Sequence, residues 1–129
     1  MAVERFEDLI AWQKARGLTR EIYRLTRSAR LAKDYSLASQ MQRASVSIMA
    51  NIAEGFERGR RPEFHQFLST AKSSCAELRS HLYIALDANY ITQEQFELLL
   101  GHAEEVARIV GGLRAAVAKQ RDTGRTKSP

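Results

Sequence analysis

The sequence predicts an all-α fold, arranged as an antiparallel up-down four-helix bundle. The chain has 129 residues of which 44% are hydrophobic, enough for one compact core. It contains only seven Gly and two Pro, too few turn-forming residues for a many-stranded sheet. Apolar residues recur at alternating three- and four-residue steps over four long stretches. We therefore expect a single bundle at 1–120, followed by a flexible basic tail at 121–129.

The first helix is predicted from about Phe6 to Arg27. Its apolar positions alternate four- and three-residue steps, which gives one buried seam along the helix. The seam consists of Ala11, Ala15, Leu18, Ile22, Leu25 and Ala29.

The second helix is predicted from about Leu37 to Glu54, with Ser36 or Asp34 as its N-terminal cap. Gly55 is expected to end it, because glycine readily adopts the left-handed conformation found after many helices.

Pro62 suits the first turn of a third helix, which keeps heptad steps from Phe64 to about Ala88. Thr92-Gln-Glu-Gln95 has the pattern of a capping box and opens a fourth helix that extends to about Gln120. The three connections are short, so neighbouring helices should run antiparallel. Gly111-Gly112 lies inside the fourth helix, which indicates either a kink or a close helix contact.

The helices carry more apolar surface than the core of one bundle needs. The second helix has an apolar stripe nearly opposite its core face, and the first helix has aromatic residues outside its seam. Contiguous apolar stripes are typical of protein interfaces, so we expect a homo-oligomer. The predicted interface consists of Val46, Met49, Ala53, Phe56, Trp12 and Tyr23.

Several separated segments resemble one known family. They are Phe6-Glu-Asp-Leu-Ile-Ala-Trp-Gln-Lys14, Tyr35-Ser-Leu-Ala-Ser-Gln40, Arg43-Ala-Ser-Val-Ser-Ile48, Asn51-Ile-Ala-Glu-Gly55 and the start of the third helix at Glu63. The family is a group of four-helix bundles that includes the proteins encoded in intervening sequences of bacterial 23S rRNA and the accessory variability proteins of diversity-generating retroelements. The resemblance implies a homopentameric ring of bundles. It also implies an association with nucleic acid, and a reverse transcriptase or ribosome-associated protein as a further partner.

Four arginines follow one another on the first helix within an arc of about 80° on the side away from the seam. Such a row can bind phosphates through charge and bidentate hydrogen bonds, or it can be a solvated helix face. The row consists of Arg16, Arg20, Arg24 and Arg27.

A second basic cluster, Arg58, Arg60 and Arg61, precedes the third helix near its positive N-terminal end. These side chains could hold a phosphate or be solvated.

Arg60 and His65 also match a loose Arg-x4-6-His spacing that resembles the catalytic signature of helical HEPN ribonucleases. This leaves an enzymatic alternative.

The remaining polar residues have structural interpretations. Asn51 and Glu54 are expected to stabilise packing by pairing with Arg43 or with the backbone. Cys75 occupies a seam position and should be a buried hydrophobe. The three histidines share no metal-ligand spacing, and Glu77 with His81 is expected to be a surface pair, so the sequence predicts neither a cofactor nor a metal site.

The formal net charge is +5, which favours an anionic partner. The chain has one cysteine and no apolar run of membrane-spanning length, so we expect a cytoplasmic protein. The leading hypothesis is a non-enzymatic, oligomeric scaffold or adaptor that binds RNA or another nucleic acid through its basic surface. A pure protein-interaction module without nucleic-acid binding is the alternative from a different class.

Overall fold

A computed structural model describes the backbone of residues 3–127 and the side chains of residues 3–120. The chain forms five α-helices and one short 3-10 turn, with no strand among the described residues. The elements are the 3-10 turn Phe6–Asp8 and the helices α1 (Ile10–Thr26), α2 (Ala29–Lys33), α3 (Tyr35–Glu57), α4 (Arg61–Asp87) and α5 (Gln93–Lys127). The predicted all-α fold is confirmed.

The four long helices pack as a closed ring in the order α1, α3, α4, α5. On the α1–α3 edge, the Thr19 hydroxyl donates to the Ser45 carbonyl at 3.1 Å and the Gln42 amide donates to the Thr26 hydroxyl at 2.9 Å. Residue numbers therefore rise along α1 as they fall along α3, which means that the two helices are antiparallel.

The neighbouring helices are also antiparallel in the other three pairs of the ring. Ser47 and Ser74 meet across α3–α4 with their hydroxyl oxygens 2.8 Å apart. The Tyr83 and Phe96 rings meet edge to face across α4–α5, with centroids 4.9 Å apart. Across α5–α1, Nδ1 of His102 lies 2.8 Å from a carboxylate oxygen of Glu21. Together with the short connections, these contacts give an up-down bundle.

The core lies along the predicted seams, except that Ala29, predicted in the seam of the first helix, is exposed and begins α2. Every seam position of α4 from residue 68 to residue 85 is completely buried, because the heptad spacing keeps one face of this helix turned inward. Leu18, Ile22, Met41 and Ile48 complete the middle layers from α1 and α3. The buried α4 residues are Leu68, Ala71, Cys75, Leu78, Leu82 and Ala85.

The connection between α1 and α3 contains α2, a one-turn helix that the sequence pattern did not predict. Leu31 is fully buried and anchors this turn to the core. Asp34 caps α3 by accepting a hydrogen bond from the Leu37 backbone N–H at 3.1 Å. Of the two predicted caps, Asp34 is the one that the structure uses.

The expectation that Gly55 ends the second helix is wrong. α3 continues to Glu57, and Gly59, with φ of 75°, is the residue in the left-handed conformation that follows it. Gly55 is buried inside α3, where a Cβ atom would lie 2.6 Å from Cβ of Phe67. The glycine is therefore required for the close approach of α3 to α4 and not for a turn.

The predicted capping box of the last helix is confirmed. The Gln95 backbone N–H donates to the Thr92 hydroxyl at 3.0 Å, and the Thr92 N–H donates to the Gln95 side chain at 2.9 Å. α5 extends to Lys127, past the predicted end at Gln120. The side chains of the expected basic tail, 121–129, lie outside the described residues, and its flexibility stays a prediction.

Gly111 and Gly112 lie within a continuous α5. A Cβ atom at Gly111 would lie 3.5 Å from Cε of Lys72 on α4, whereas a Cβ atom at Gly112 would meet nothing within 4 Å. Since 3.5 Å is an ordinary van der Waals distance, no helix contact among the described residues is close enough to require glycine at either position.

Candidate nucleic-acid interface

The predicted arginine row lies on the outward face of α1. The contacts of α1 with α3 and α5 fix its rotation, and all four side chains of the row are exposed. The Arg16 guanidinium lies 5.7 Å from the centroid of the Trp12 ring, a cation–π distance. The row consists of Arg16, Arg20, Arg24 and Arg27.

The other arginines of the row have no partner of opposite charge among the described residues. Arg20, Arg24 and Arg27 make no ion pair or hydrogen bond with the residues that the structure describes. Other cations nearby are paired: Arg5 lies 3.6 Å from Glu7, and Lys14 lies 3.7 Å from Glu105. The positive charge of the row is therefore available to an external anion.

A second set of cations, missed in the sequence analysis, continues the row past the end of α1. Arg30 and Lys33 lie on α2, and Tyr35 follows with 80% of its surface exposed. The Arg30 guanidinium donates to the Asn89 carbonyl at 2.9 Å. The sequence pattern predicts only a connection at residues 28–36, although two cations three residues apart followed by an aromatic residue are typical of nucleic-acid-binding surfaces.

A shallow groove of about 520 Å³ lies at α2. It is lined by Arg30, Lys33, Asp34, Tyr35 and Tyr90. The Tyr90 hydroxyl donates to Asp34 at 3.0 Å, and this hydrogen bond raises the pKa of Tyr90. Because the other carboxylate oxygen of Asp34 accepts from Leu37, both oxygens already have donors. The one acidic group of this groove is therefore engaged in holding α2 and α3 in place.

The second predicted cluster is partly neutralised by acidic neighbours. Arg58 lies 3.5 Å from Glu54 and 3.6 Å from Glu63, and its guanidinium is 5.1 Å from the centroid of the Phe67 ring. Arg60 lies 3.9 Å from Glu63, and Arg61 donates to the Gln120 carbonyl at 3.4 Å.

This cluster also lies at the other end of the bundle from Arg27, since α3 is antiparallel to α1. The structure does not bring Arg58, Arg60 and Arg61 together with the α2 cations.

Of the two residues of the enzymatic alternative, Arg60, but not His65, lines the cleft at this end of the bundle. This cleft of about 640 Å³ is lined by Arg60 and Arg61 with Phe56, Phe64 and Leu113 among its apolar residues. Ribonuclease activity stays an untested hypothesis.

The predicted oligomer residues lie on one side of the bundle, where α1 meets α3. Because Thr19 pairs with Ser45 and Thr26 with Gln42, the Trp12 end of α1 lies level with the Phe56 end of α3. Trp12, Met49 and Phe56 already pack against the core of their own chain. Ala53 and Tyr23 are half-buried, and Val46 is 40% exposed.

Larger exposed apolar side chains lie elsewhere, at Ile10, Tyr35, Ile84 and Leu98. The apolar area exposed on the predicted oligomer face is therefore smaller than the sequence pattern suggests.

Residues 7–112 match the family model described as 23S rRNA-intervening sequence protein. The chain belongs to this family. The crystal structure of a protein with unknown function from the S23 ribosomal protein family of Bacteroides thetaiotaomicron is similar, with a TM-score of 0.75 at 23% identity. The match covers 81% of this chain and 98% of that chain, which supports the fold. No curated protein matches the chain significantly.

In this member of the 23S rRNA-intervening sequence protein family, Asn51 has the expected structural role. Its side-chain amide donates to the Ser47 carbonyl at 2.8 Å and lies 3.0 Å from the Ser47 hydroxyl, which in turn meets Ser74. Glu54 is exposed and pairs with Arg58, not with Arg43.

Cys75 is also structural in this family member. It is fully buried, and burial raises the pKa of its thiol to about 11 although Arg79 and Lys72 act in the opposite direction. A thiol with such a pKa is protonated at neutral pH and is a poor nucleophile.

The histidines differ from the expected pattern. Nε2 of His81 lies 3.5 Å from Glu77, but the imidazole is only 12% exposed, so this is not a simple surface pair. His102 joins α5 to α1 through Glu21, a contact that the sequence analysis missed because the two residues are far apart in the chain. Within the described part of the chain no three metal-ligating side chains cluster, and no helix there is long and apolar enough to cross a membrane.

Proposed function

We propose that this chain is a non-enzymatic, oligomeric helical-bundle scaffold that binds RNA along the arginine row of α1. The observation that carries the proposal is that Arg20, Arg24 and Arg27 are exposed and have no counter-charge among the described residues. Neighbouring arginines on one helix face suit a phosphate backbone, because each contact releases counterions and guanidinium groups bind phosphate in two-point fashion.

The groove at the end of the row supports RNA as the ligand. Arg30 and Lys33 extend the positive surface, and the exposed Tyr35 ring offers an unpaired base a face for stacking. Duplex regions would contact the arginines alone. This combination favours RNA that carries single-stranded segments.

The assembly part of the proposal uses the face where α1 meets α3. On this face Val46 is exposed, and Met49, Ala53 and Tyr23 are half-buried. The arginine row borders the same face. An oligomer formed through this face, which we propose is a pentamer, would bring several arginine rows close together. Several weak phosphate contacts would then add up to one tight interaction.

The expected particle mass in light scattering coupled to size exclusion is about five times the 14.6 kDa of the chain. Val46→Glu should reduce this mass, because it adds a buried charge to the proposed interface. The matched control is Ile84→Glu on α4, where the side chain is 50% exposed, and it should leave the mass unchanged. A monomeric wild type would contradict the assembly.

RNA affinity is expected to fall steeply with salt. A single strand that engages three or four arginines of one row should lose a factor of about 20 to 50 in affinity between 50 mM and 200 mM salt. Fluorescence anisotropy with a labelled oligo(U) measures this. Equal affinity at both salt concentrations would contradict electrostatic binding, and an assembly that binds no RNA would favour a protein-interaction module instead.

A further inference from the structure

A second basic groove lies between α4 and α5, away from the α1 row. It has a volume of about 440 Å³. α4 contributes two cations two turns apart, and α5 contributes one cation, one carboxylate and two small residues. The lining residues are Lys72, Arg79, Glu104, Ala107, Arg108 and Gly111.

The cations of this groove have no counter-charge among the described residues. Lys72, Arg79 and Arg108 form no ion pair or hydrogen bond with any residue that the structure describes. Glu104 is exposed and likewise forms none, so the groove keeps a surplus of positive charge.

The strongest sign of a ligand is Nε of Arg79. This donor is buried and has no hydrogen-bond acceptor. A buried guanidinium donor without an acceptor is unfavourable, and an oxyanion in the groove would supply the missing partner once a small shift of the Arg79 side chain exposes Nε.

Gly111 is one of the lining residues of this groove. A Cβ atom there would lie 3.5 Å from Cε of Lys72, an ordinary contact that the fold could accept. Glycine in a helix interior is unfavourable relative to alanine. Its presence fits a groove in which the Lys72 side chain and a ligand lie against the backbone of α5.

We propose that this groove binds phosphate groups of an RNA strand, as a second site separate from the arginine row. Lys72, Arg79 and Arg108 would hold the phosphate oxygens. Glu104 would accept a hydrogen bond from a ribose 2′-hydroxyl, a donor that accompanies each phosphate of an RNA strand and that the backbone of an acidic peptide does not repeat, which favours RNA. The identity of the ligand as RNA rests on the proposed function, whereas the oxyanion site itself does not.

The oxyanion site is tested by thermal unfolding in chloride and in 10 mM phosphate at equal ionic strength. Phosphate should raise the Tm of the wild type by a few degrees, because a ligand of the native state stabilises it. Arg79→Met should abolish that rise, and it should raise the Tm in chloride because the buried donor is gone. A phosphate response that survives Arg79→Met overturns the site.

RNA as the ligand is tested by the affinity for a 12-residue oligo(U) at low salt. Two variants each remove two positive charges: Lys72→Gln with Arg108→Gln in the groove, and Arg20→Gln with Arg24→Gln in the row. Each should weaken binding about tenfold or more and reduce the steepness of the salt dependence.

The pattern of losses separates the two proposals. A groove variant that binds as the wild type, while the row variant is weakened, overturns the RNA assignment of the groove alone. A row variant that binds as the wild type overturns the proposed function. Loss of the phosphate response in the groove variant without loss of RNA affinity assigns the groove to a small phosphate ester and also overturns the RNA assignment.

Discussion

Gly55→Ala is expected to lower the free energy of unfolding by about 1–3 kcal/mol, although alanine is the better helix former. The added Cβ would lie 2.6 Å from Cβ of Phe67 and 3.1 Å from Cδ1 of Phe64. Cβ of Phe67 is attached directly to the backbone of α4, so no side-chain rotation relieves the clash. α4 must move away from α3, which separates the packed seams of both helices.

The matched control is Gly112→Ala, the same substitution in α5. Its Cβ would meet nothing within 4 Å, so only the helix propensity changes. This variant should gain about 0.5–1 kcal/mol. Urea unfolding at one fixed protein concentration measures both, because the apparent stability of an oligomer depends on concentration. Equal stability of Gly55→Ala and the wild type would contradict the account of the α3–α4 contact.

The fold was predictable because its helices depend on local spacing. Heptad steps in α4 and the Thr92 capping box require only residues close in sequence, and both predictions are confirmed. The prediction that Gly55 ends a helix is wrong because a glycine near a predicted helix end can serve either a turn or a close helix contact. Only the position of Phe67 on the next helix distinguishes a turn from a close helix contact.

The candidate sites were less predictable, since each depends on two or more elements. The arginine row lies on one helix, and its exposure agrees with the sequence pattern. The α4–α5 groove joins Lys72 and Arg79 to Arg108 across two helices. Residues 63–120 hold five Lys and Arg against seven Asp and Glu, so the net charge of that segment does not predict an anion site. Only the packing of α4 against α5 shows that Lys72, Arg79 and Arg108 lie in one groove. The net charge of the segment does not contain this information.

Reversing two charges of the arginine row is expected to reduce RNA affinity by a factor of at least about 100 at physiological salt. Arg20→Glu with Arg24→Glu removes two phosphate contacts, and charge-assisted hydrogen bonds contribute about 1.5–3 kcal/mol each. The new carboxylates also repel the phosphate backbone. Both side chains are exposed and make no ion pair or hydrogen bond with described residues, so the fold should be unaffected.

Arg60→Glu with Arg61→Glu changes the net charge of the chain equally and provides the control. It should reduce affinity less than about tenfold, because Arg60 already lies 3.9 Å from Glu63 and both residues lie at the other end of the bundle. Anisotropy titrations of both variants against one oligo(U) compare the two predicted clusters directly. Equal losses would mean that RNA responds to the overall charge and that the row is no specific site. A large loss confined to the Arg20 and Arg24 variant would assign RNA binding to the row and not to the cluster at Arg60 and Arg61.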